Sequence, residues 1–174
     1  MKYRIKLSDF KKLDSLEDYK KWLSDDEVFK YLSSETPKSS LDQINKYIEL
    51  NNNSNCVFKP VIFIENNKHI GNLKIYNFSQ DHRLKSAEYS RFIGDKNYWG
   101  MGLGFELGAL ALDYCFSSLK LDCVHAGCIE ENVAAIKSNK KLGFKIVERT
   151  KNNENKKIIR FKITRDEFLK DLNE

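Results

Sequence analysis

Gly100, Gly102 and Gly104 stand at alternate positions in Asn97-Tyr98-Trp99-Gly100-Met101-Gly102-Leu103-Gly104-Phe105-Glu106, three of the chain's eight glycines. Glycine takes positive φ without penalty and lets a backbone come close to a ligand. The stretch follows a β-type run and precedes the most apolar segment, Leu103 to Phe116, so it reads as a turn opening into a helix. The first turn of a helix carries N–H groups with no internal acceptor and lies at the positive end of the helix dipole. Together these features make an anion cradle, and the usual anion is a phosphate. A flexible turn whose glycines only permit tight packing is the plain alternative, and the loop alone does not choose.

Other chemistry-bearing residues narrow the choice by what they lack. Cys56, Cys115, Cys123 and Cys128 are widely spaced in apolar contexts with no C-x-x-C pair, so neither a zinc knuckle nor a redox motif is suggested. On an extended strand, position 128 points away from 123 and 125, so Cys123, His125 and Cys128 do not form a ligand set. No metal is expected, and buried reduced thiols imply a reducing compartment. The glycine loop lacks the G-K-[ST] ending of a P-loop, and a dinucleotide fingerprint would need an early β–α–β unit.

The 174 residues, 41% hydrophobic and 32% charged, suit one globular domain. The net charge of +5 and pI near 8.9 favour anionic partners. The basic residues are interleaved with 25 acids and form no arginine-rich arm, so nucleic acid is not an expected partner. The start, Met1-Lys2-Tyr3-Arg4-Ile5-Lys6, has no signal-peptide core. Glu106 and Asp113 interrupt the most apolar run, which is too short to span a bilayer. A cytoplasmic chain with no membrane partner is the expectation.

The positioning elements follow from periodicity. Tyr3 to Leu7 alternates as a strand. Ser15-Leu16-Glu17-Asp18 reads as a helix start, and Ser24-Asp25-Asp26-Glu27 as a second start before Leu32. Thr36-Pro37-Lys38-Ser39-Ser40 is a break, and a helix runs from Ser40 to about Leu50. Strands over Val57–Ile64, His69–Phe78 and Lys85–Ile93 are separated by short polar turns, which favours an antiparallel meander. A helix from about Gly102 to Leu119 carries one narrow polar stripe, Glu106, Asp113, Ser117 and Lys120. A strand over Leu121–Ile129 then implies a parallel, right-handed β–α–β crossover. The helix Val133–Leu142 ends at Gly143, a left-handed C-cap position. Strands near Phe144–Arg149 and Lys157–Ile163 and a short helix in the tail complete the chain.

In that order, three motifs resemble the GNAT superfamily of acyl-CoA-dependent N-acetyltransferases over essentially the full length. They are Ala87-Glu88-Tyr89-Ser90-Arg91-Phe92-Ile93-Gly94, then Tyr98 to Glu106, then Glu131-Asn132-Val133-Ala134-Ala135-Ile136 closing on Lys141-Leu142-Gly143-Phe144. Lys21 to Val28 is similar to the branch that acetylates ribosomal-protein N-termini and various small amines. The resemblance implies one GNAT-like α/β domain over residues 1–174. Its sheet would be mixed, mostly antiparallel and twisted, of about seven strands with helices on both faces.

The resemblance also implies the site. Acetyl-CoA would be the co-substrate, its pyrophosphate held by backbone N–H groups from about Met101 to Gly104 in a loop that includes Trp99, Gly100, Gly102 and Leu103. Backbone groups of Phe92, Ile93 and Gly94 would pair with the pantetheine arm, and an N–H near Ile93 would stabilise the thioester oxyanion. Asn132 matches the asparagine that contacts the pantetheine, although an N-cap role suits it equally. A neutral amine would attack the thioester directly through a tetrahedral intermediate, with Glu88 as the candidate base. Many relatives place a tyrosine seven residues after the asparagine as the acid. Here that position is Asn139, grouped with the cofactor residues, and the neighbouring hydroxyl of Ser138 is the candidate donor, with water an equal alternative.

Tyr31, Tyr76, Arg83, Tyr89 and Arg91 are candidate acceptor liners. A basic protein is a poor trap for a polyamine and better suits a nucleotide-linked amino sugar or a peptide α-amine. The rival reading is a non-catalytic acyl-CoA-binding or regulatory domain, motivated by Asn139. A homodimer is compatible with either.

Overall fold

A computed structural model describes residues 2–32, 36, 40–81 and 84–171. The chain is built from β1 (Ile5–Leu7), α1 (Glu17–Ser24), α2 (Asp26–Phe29), α3 (Leu41–Leu50), β2 (Val57–Phe63), β3 (Lys68–Asp81), β4 (Leu84–Ile93), α4 (Leu103–Asp113), β5 (Cys123–Ile129), α5 (Val133–Lys141), β6 (Lys145–Lys151), β7 (Lys157–Thr164) and α6 (Arg165–Asp171). The seven strands form one sheet in the order β1-β2-β3-β4-β5-β7-β6. It is mostly antiparallel, and β4 and β5 are the parallel pair that the helical crossover between them requires. The mixed α/β class and the strand inventory agree with the sequence reading.

Packing groups the chain into two compact units, Met1–Lys74 with Arg91–Leu103, and Ile75–Ser90 with Gly104–Glu174. In the first, α1, α2 and α3 bury Tyr19, Trp22, Leu23, Val28, Ile44 and Ile48 with Phe10 and Phe58. Ser40 caps α3 by accepting from the Gln43 N–H at 3.2 Å. Asp25 caps α2 by accepting from the Glu27 N–H at 2.9 Å, confirming the second start. Ser15 differs from expectation: its Oγ accepts from the Glu17 N–H at 3.1 Å, while Leu16 occupies the cap position without a side-chain bond. The break at Thr36–Ser40 lies largely outside the described residues, as does Arg83.

In the second unit, α4 buries Leu107, Ala109, Ala111 and Leu112, and β7 buries Ile159, Phe161 and Ile163. The helix predicted through Leu119 ends earlier, at Asp113, and widens into a π-helical turn over Tyr114–Ser118. Glu106 departs from its assigned stripe: it is only 7% exposed, buried in the first turn of α4. At the end of α5, Gly143 takes φ +88°, the left-handed cap expected there. The four cysteines form no disulfide. Burial pushes the Cys115 thiol up to about 12, so it is inert at neutral pH. Among the described residues no helix is long and apolar enough to cross a membrane.

Candidate functional site

In the first unit the end of β4 and the glycine loop are pinned at several points. The Ile93–Gly94 peptide is held from both sides. The Gly94 N–H donates to Ile70 O on β3 at 2.8 Å, and the Ile93 carbonyl accepts from the Trp99 indole N–H at 2.8 Å. A side chain at Gly94 would overlap the Trp22 indole, and one at Gly71 would overlap the Phe92 carbonyl oxygen. Asp95 is buried. Burial pushes its carboxyl up, but the ammonium of Lys68 at 2.8 Å and the Asn97 N–H outweigh this and hold it below the usual range.

Lys96 ties the loop to the start of α2, with Nζ 2.6 Å from Asp25 and 3.1 Å from Glu27. Tyr98 accepts from Asn66 Nδ2 at 2.8 Å. Arg4 reaches the Met101 carbonyl at 3.0 Å, which brings a guanidinium to the loop.

Gly100 and Gly102 take φ +76° and +78°, and a Cβ on either, or on Gly104, would meet nothing within 4 Å. The backbone there is bent and uncovered rather than packed, and the first N–H groups of α4 follow directly. This geometry fits an anionic group lying on the backbone. It argues against the packing reading, in which the glycines would be glycines because something presses on them.

In the second unit the parallel ladder pairs Ser86–Tyr89 with Cys123–Ala126. Residues facing one way on β4, β5 and β7 meet in register: Glu88 opposite His125, and His125 opposite Lys162. Arg160 Nη1 lies 3.2 Å from Glu88 Oε2, and Asn77 Nδ2 lies 3.4 Å from Oε1. His125 is half-buried; burial, with the positive charge of Lys162, lowers its pKa, while Glu88 pulls it up. On the opposite face Tyr89 is buried, stacked on Phe144 at 5.5 Å between centroids, and its hydroxyl donates to Asn139 Oδ1 at 3.2 Å. Asn132 caps α5 by accepting from the Ala135 N–H at 3.0 Å. Among the described residues no group of three His, Cys, Asp or Glu side chains stands close enough to share a metal ion.

The model of the acetyltransferase (GNAT) domain matches residues 4–145 of the chain. This protein belongs to the GNAT acetyltransferase family. Solved structures agree on the fold. A spermidine N-acetyltransferase from Vibrio cholerae, in complex with CoA and spermine, superposes with TM-score 0.81 at 21% identity, covering 95% of this chain and 98% of that one. A GNAT-family acetyltransferase from Bacillus anthracis gives TM-score 0.77 at 21% identity over 95% and 98%. A domain from Methanocaldococcus jannaschii DSM 2661 gives 0.71 at 22% identity over 93% and 100%.

The GNAT motif residues therefore lie as follows. Trp99, Gly100, Met101 and Gly102 form the uncovered loop, and Leu103 and Gly104 open α4. Phe92 and Ile93 end β4, Gly94 follows it directly, and Glu88 lies on the same strand in an ion pair. Asn132, Ser138 and Asn139 lie on or at the start of α5; Asn139 is buried against the Tyr89 hydroxyl. Tyr76 is half-buried and Tyr31 exposed.

Sequence reasoning missed four contributors. Arg4 on the loop, Arg160 on Glu88, His125 across from Glu88, and the Tyr89 hydroxyl on Asn139 all arise from pairs distant in the chain. Of the last pair, sequence analysis singles out Tyr89 as an acceptor liner and Asn139 with the cofactor residues; both are instead buried and bonded to each other.

Proposed function

We propose that this GNAT protein transfers an acetyl group from acetyl-CoA to a primary amine, either on a nucleotide-linked amino sugar or at a peptide or protein N-terminus. The observation that carries the cofactor half is the pair of positive-φ glycines, Gly100 and Gly102, with open space where a Cβ would stand, directly ahead of the first turn of α4. Backbone N–H groups from Met101 to Gly104 would hold the pyrophosphate, with the Arg4 guanidinium adding positive charge at Met101. The amine nitrogen would add to the thioester carbonyl to form a tetrahedral intermediate, which collapses as the C–S bond breaks, the sulfur leaving with the electron pair and the nitrogen losing a proton.

Glu88 is the residue proposed to take that proton. Its carboxylate is oriented by Arg160 and Asn77, and the half-buried setting keeps it near water. The proton for the leaving thiolate would come from a hydroxyl beside Asn139. Ser138 is adjacent in sequence, but it lies about 100° around the helix. Water is the equal alternative donor; the Tyr89 phenol also touches Asn139, but it is buried and lies on the sheet face opposite Glu88.

The Vibrio cholerae relative in the fold comparison was solved with spermine. A polycation is disfavoured here, because Arg160 pairs with Glu88 and Lys162 lies on the same sheet face in register beyond His125. An acceptor with negative charge near its amine gains from the same groups.

A second reading is a non-catalytic acyl-CoA-binding domain, favoured by one observation: Glu88 is already committed to Arg160. Thiol release from acetyl-CoA against peptides, polyamines and nucleotide-linked amino sugars separates the two. Turnover on an anionic amine or a peptide supports the first reading. Saturable CoA binding without turnover on any amine supports the second, and undetectable CoA binding removes both.

A further inference from the structure

The two peptides around Ile93 are set by contacts on opposite sides, and their directions can be read from those contacts. Among the described residues no peptide bond is cis, so within each peptide unit the C=O and N–H point opposite ways. The Phe92 carbonyl lies against Gly71 on β3, in the space a side chain there would occupy. The Ile93 N–H of that peptide therefore points away from β3. In the next peptide the Gly94 N–H donates to Ile70 O on β3 at 2.8 Å, so the Ile93 carbonyl also points away, and there it accepts from the Trp99 indole at 2.8 Å. Gly94 cannot rock out of this position, because the Trp22 indole covers its Cα. Ile93 thus presents both backbone groups to the side opposite β3, with its carbonyl already engaged and its N–H left as the donor.

We propose that Trp99 and Gly71 are positioning residues for acyl transfer: Gly71 makes room for the Phe92 carbonyl and Trp99 holds the Ile93 carbonyl. Between them they fix the Ile93 N–H as a preset donor to the thioester oxygen. This rests on the acetyl-CoA reading above and assigns Trp99 a task separate from the loop glycines. The indole is 40% exposed, so it does little for the core, and its N–H is the feature that matters. A donor fixed in advance needs no reorganisation as charge develops on the oxygen, which is how a single backbone N–H contributes to catalysis. It also follows that an extended ligand alongside β4 finds at Ile93 a donor and a carbonyl already in use.

The test compares CoA with acetyl-CoA, which differ in the carbonyl the Ile93 N–H would meet. Amide resonances of the ¹⁵N-labelled full chain are followed with each ligand. The expected result is movement of residues 99–104 with both ligands, and a downfield shift of the Ile93 amide proton with acetyl-CoA only. Trp99→Phe keeps an aromatic ring without the N–H. It should preserve the loop shifts and the KM for acetyl-CoA within about threefold, shrink the Ile93 difference and lower kcat on the order of tenfold. Gly71→Ala should do the same by displacing the Phe92 carbonyl, and Trp99→Phe decides the matter if the alanine variant fails to fold. Loop shifts with an Ile93 amide that answers both ligands alike, or Trp99→Phe with wild-type kcat, overturns the proposal alone. Silence of residues 99–104 with both ligands overturns the acetyl-CoA reading and the proposal with it.

Discussion

Replacing Gly102 with alanine separates backbone conformation from packing in the glycine loop. At φ +78° with nothing within 4 Å of the new Cβ, the substitution meets no neighbour. Its whole cost is the left-handed backbone, about 1–2 kcal/mol for a residue with a Cβ. The cost falls in one of two places. If the loop keeps its shape, the fold carries the strain and Tm drops by roughly 2–8 °C for a chain of this size. If the loop relaxes, Tm holds and the N–H groups leave their cradle, so CoA affinity falls by about 5–30-fold. Gly104→Ala is the internal control. Residue 104 lies inside α4 without positive φ, and its Cβ is equally unobstructed in the protein alone. Alanine there favours the helix by about 0.5–1 kcal/mol and should raise Tm. Thermal melts with calorimetric titration of CoA read both quantities. Gly102→Ala with wild-type Tm and wild-type CoA affinity would refute the claim that positive φ at this position shapes the cradle.

Glu88→Gln should lower kcat on the order of 10²-fold and change its pH profile. Stability should move by no more than about 1 kcal/mol, because the lost ion pair with Arg160 is partly exposed; an unchanged profile removes Glu88 as the base. Tyr89→Phe deletes the hydroxyl on Asn139 while keeping the ring stacked on Phe144. It should cost about 10²-fold in kcat if that phenol protonates the thiolate, with Ser138→Ala near wild type; the reverse ranking gives the role to Ser138, and two near-wild-type variants give it to water. His69 is buried, with Nε2 2.9 Å from Asn72 Oδ1 and 3.0 Å from Gly71 O. Burial holds its imidazole below the ordinary value. The unfolded chain therefore binds the proton first, and stability present above pH about 6.5 is lost as pH falls through the folded pKa. Urea unfolding at pH 7.5 and 5 should show this loss in a His125→Asn background, and a His69→Gln variant should flatten it. Equal slopes in the two would rule His69 out as its source.

Element types were legible because they rest on local physics. The alternation of Ile5 and Leu7, the helical spacing of Ile44 and Ile48, the caps at Asp25 and Ser40, and the left-handed Gly143 each involve residues within a turn of one another. Period and cap chemistry need no knowledge of the rest of the chain. Glu106 misled that reasoning, since spacing places it in line with Asp113 and Ser117 but says nothing of what covers the first turn of α4. The π-helical turn over Tyr114–Ser118 was hidden for the same reason, because no local residue announces it.

The glycine loop divides along the same line. From Asn97 to Glu106 the amino-acid sequence alone determined a turn able to face an anion, because positive φ and unpaired helix N–H groups are properties of the local chain. What that turn is fastened to was decided by the tertiary structure. Arg4 meets Met101 across 97 positions, Lys96 meets Glu27 across 69, Glu88 meets Arg160 across 72, and Tyr89 meets Asn139 across 50. Those partners depend on strand order and register, above all on β7 lying between β5 and β6. A register slip of one residue would exchange every face. Strand order and register are set by the burial of the whole sheet, and no short window of sequence contains them.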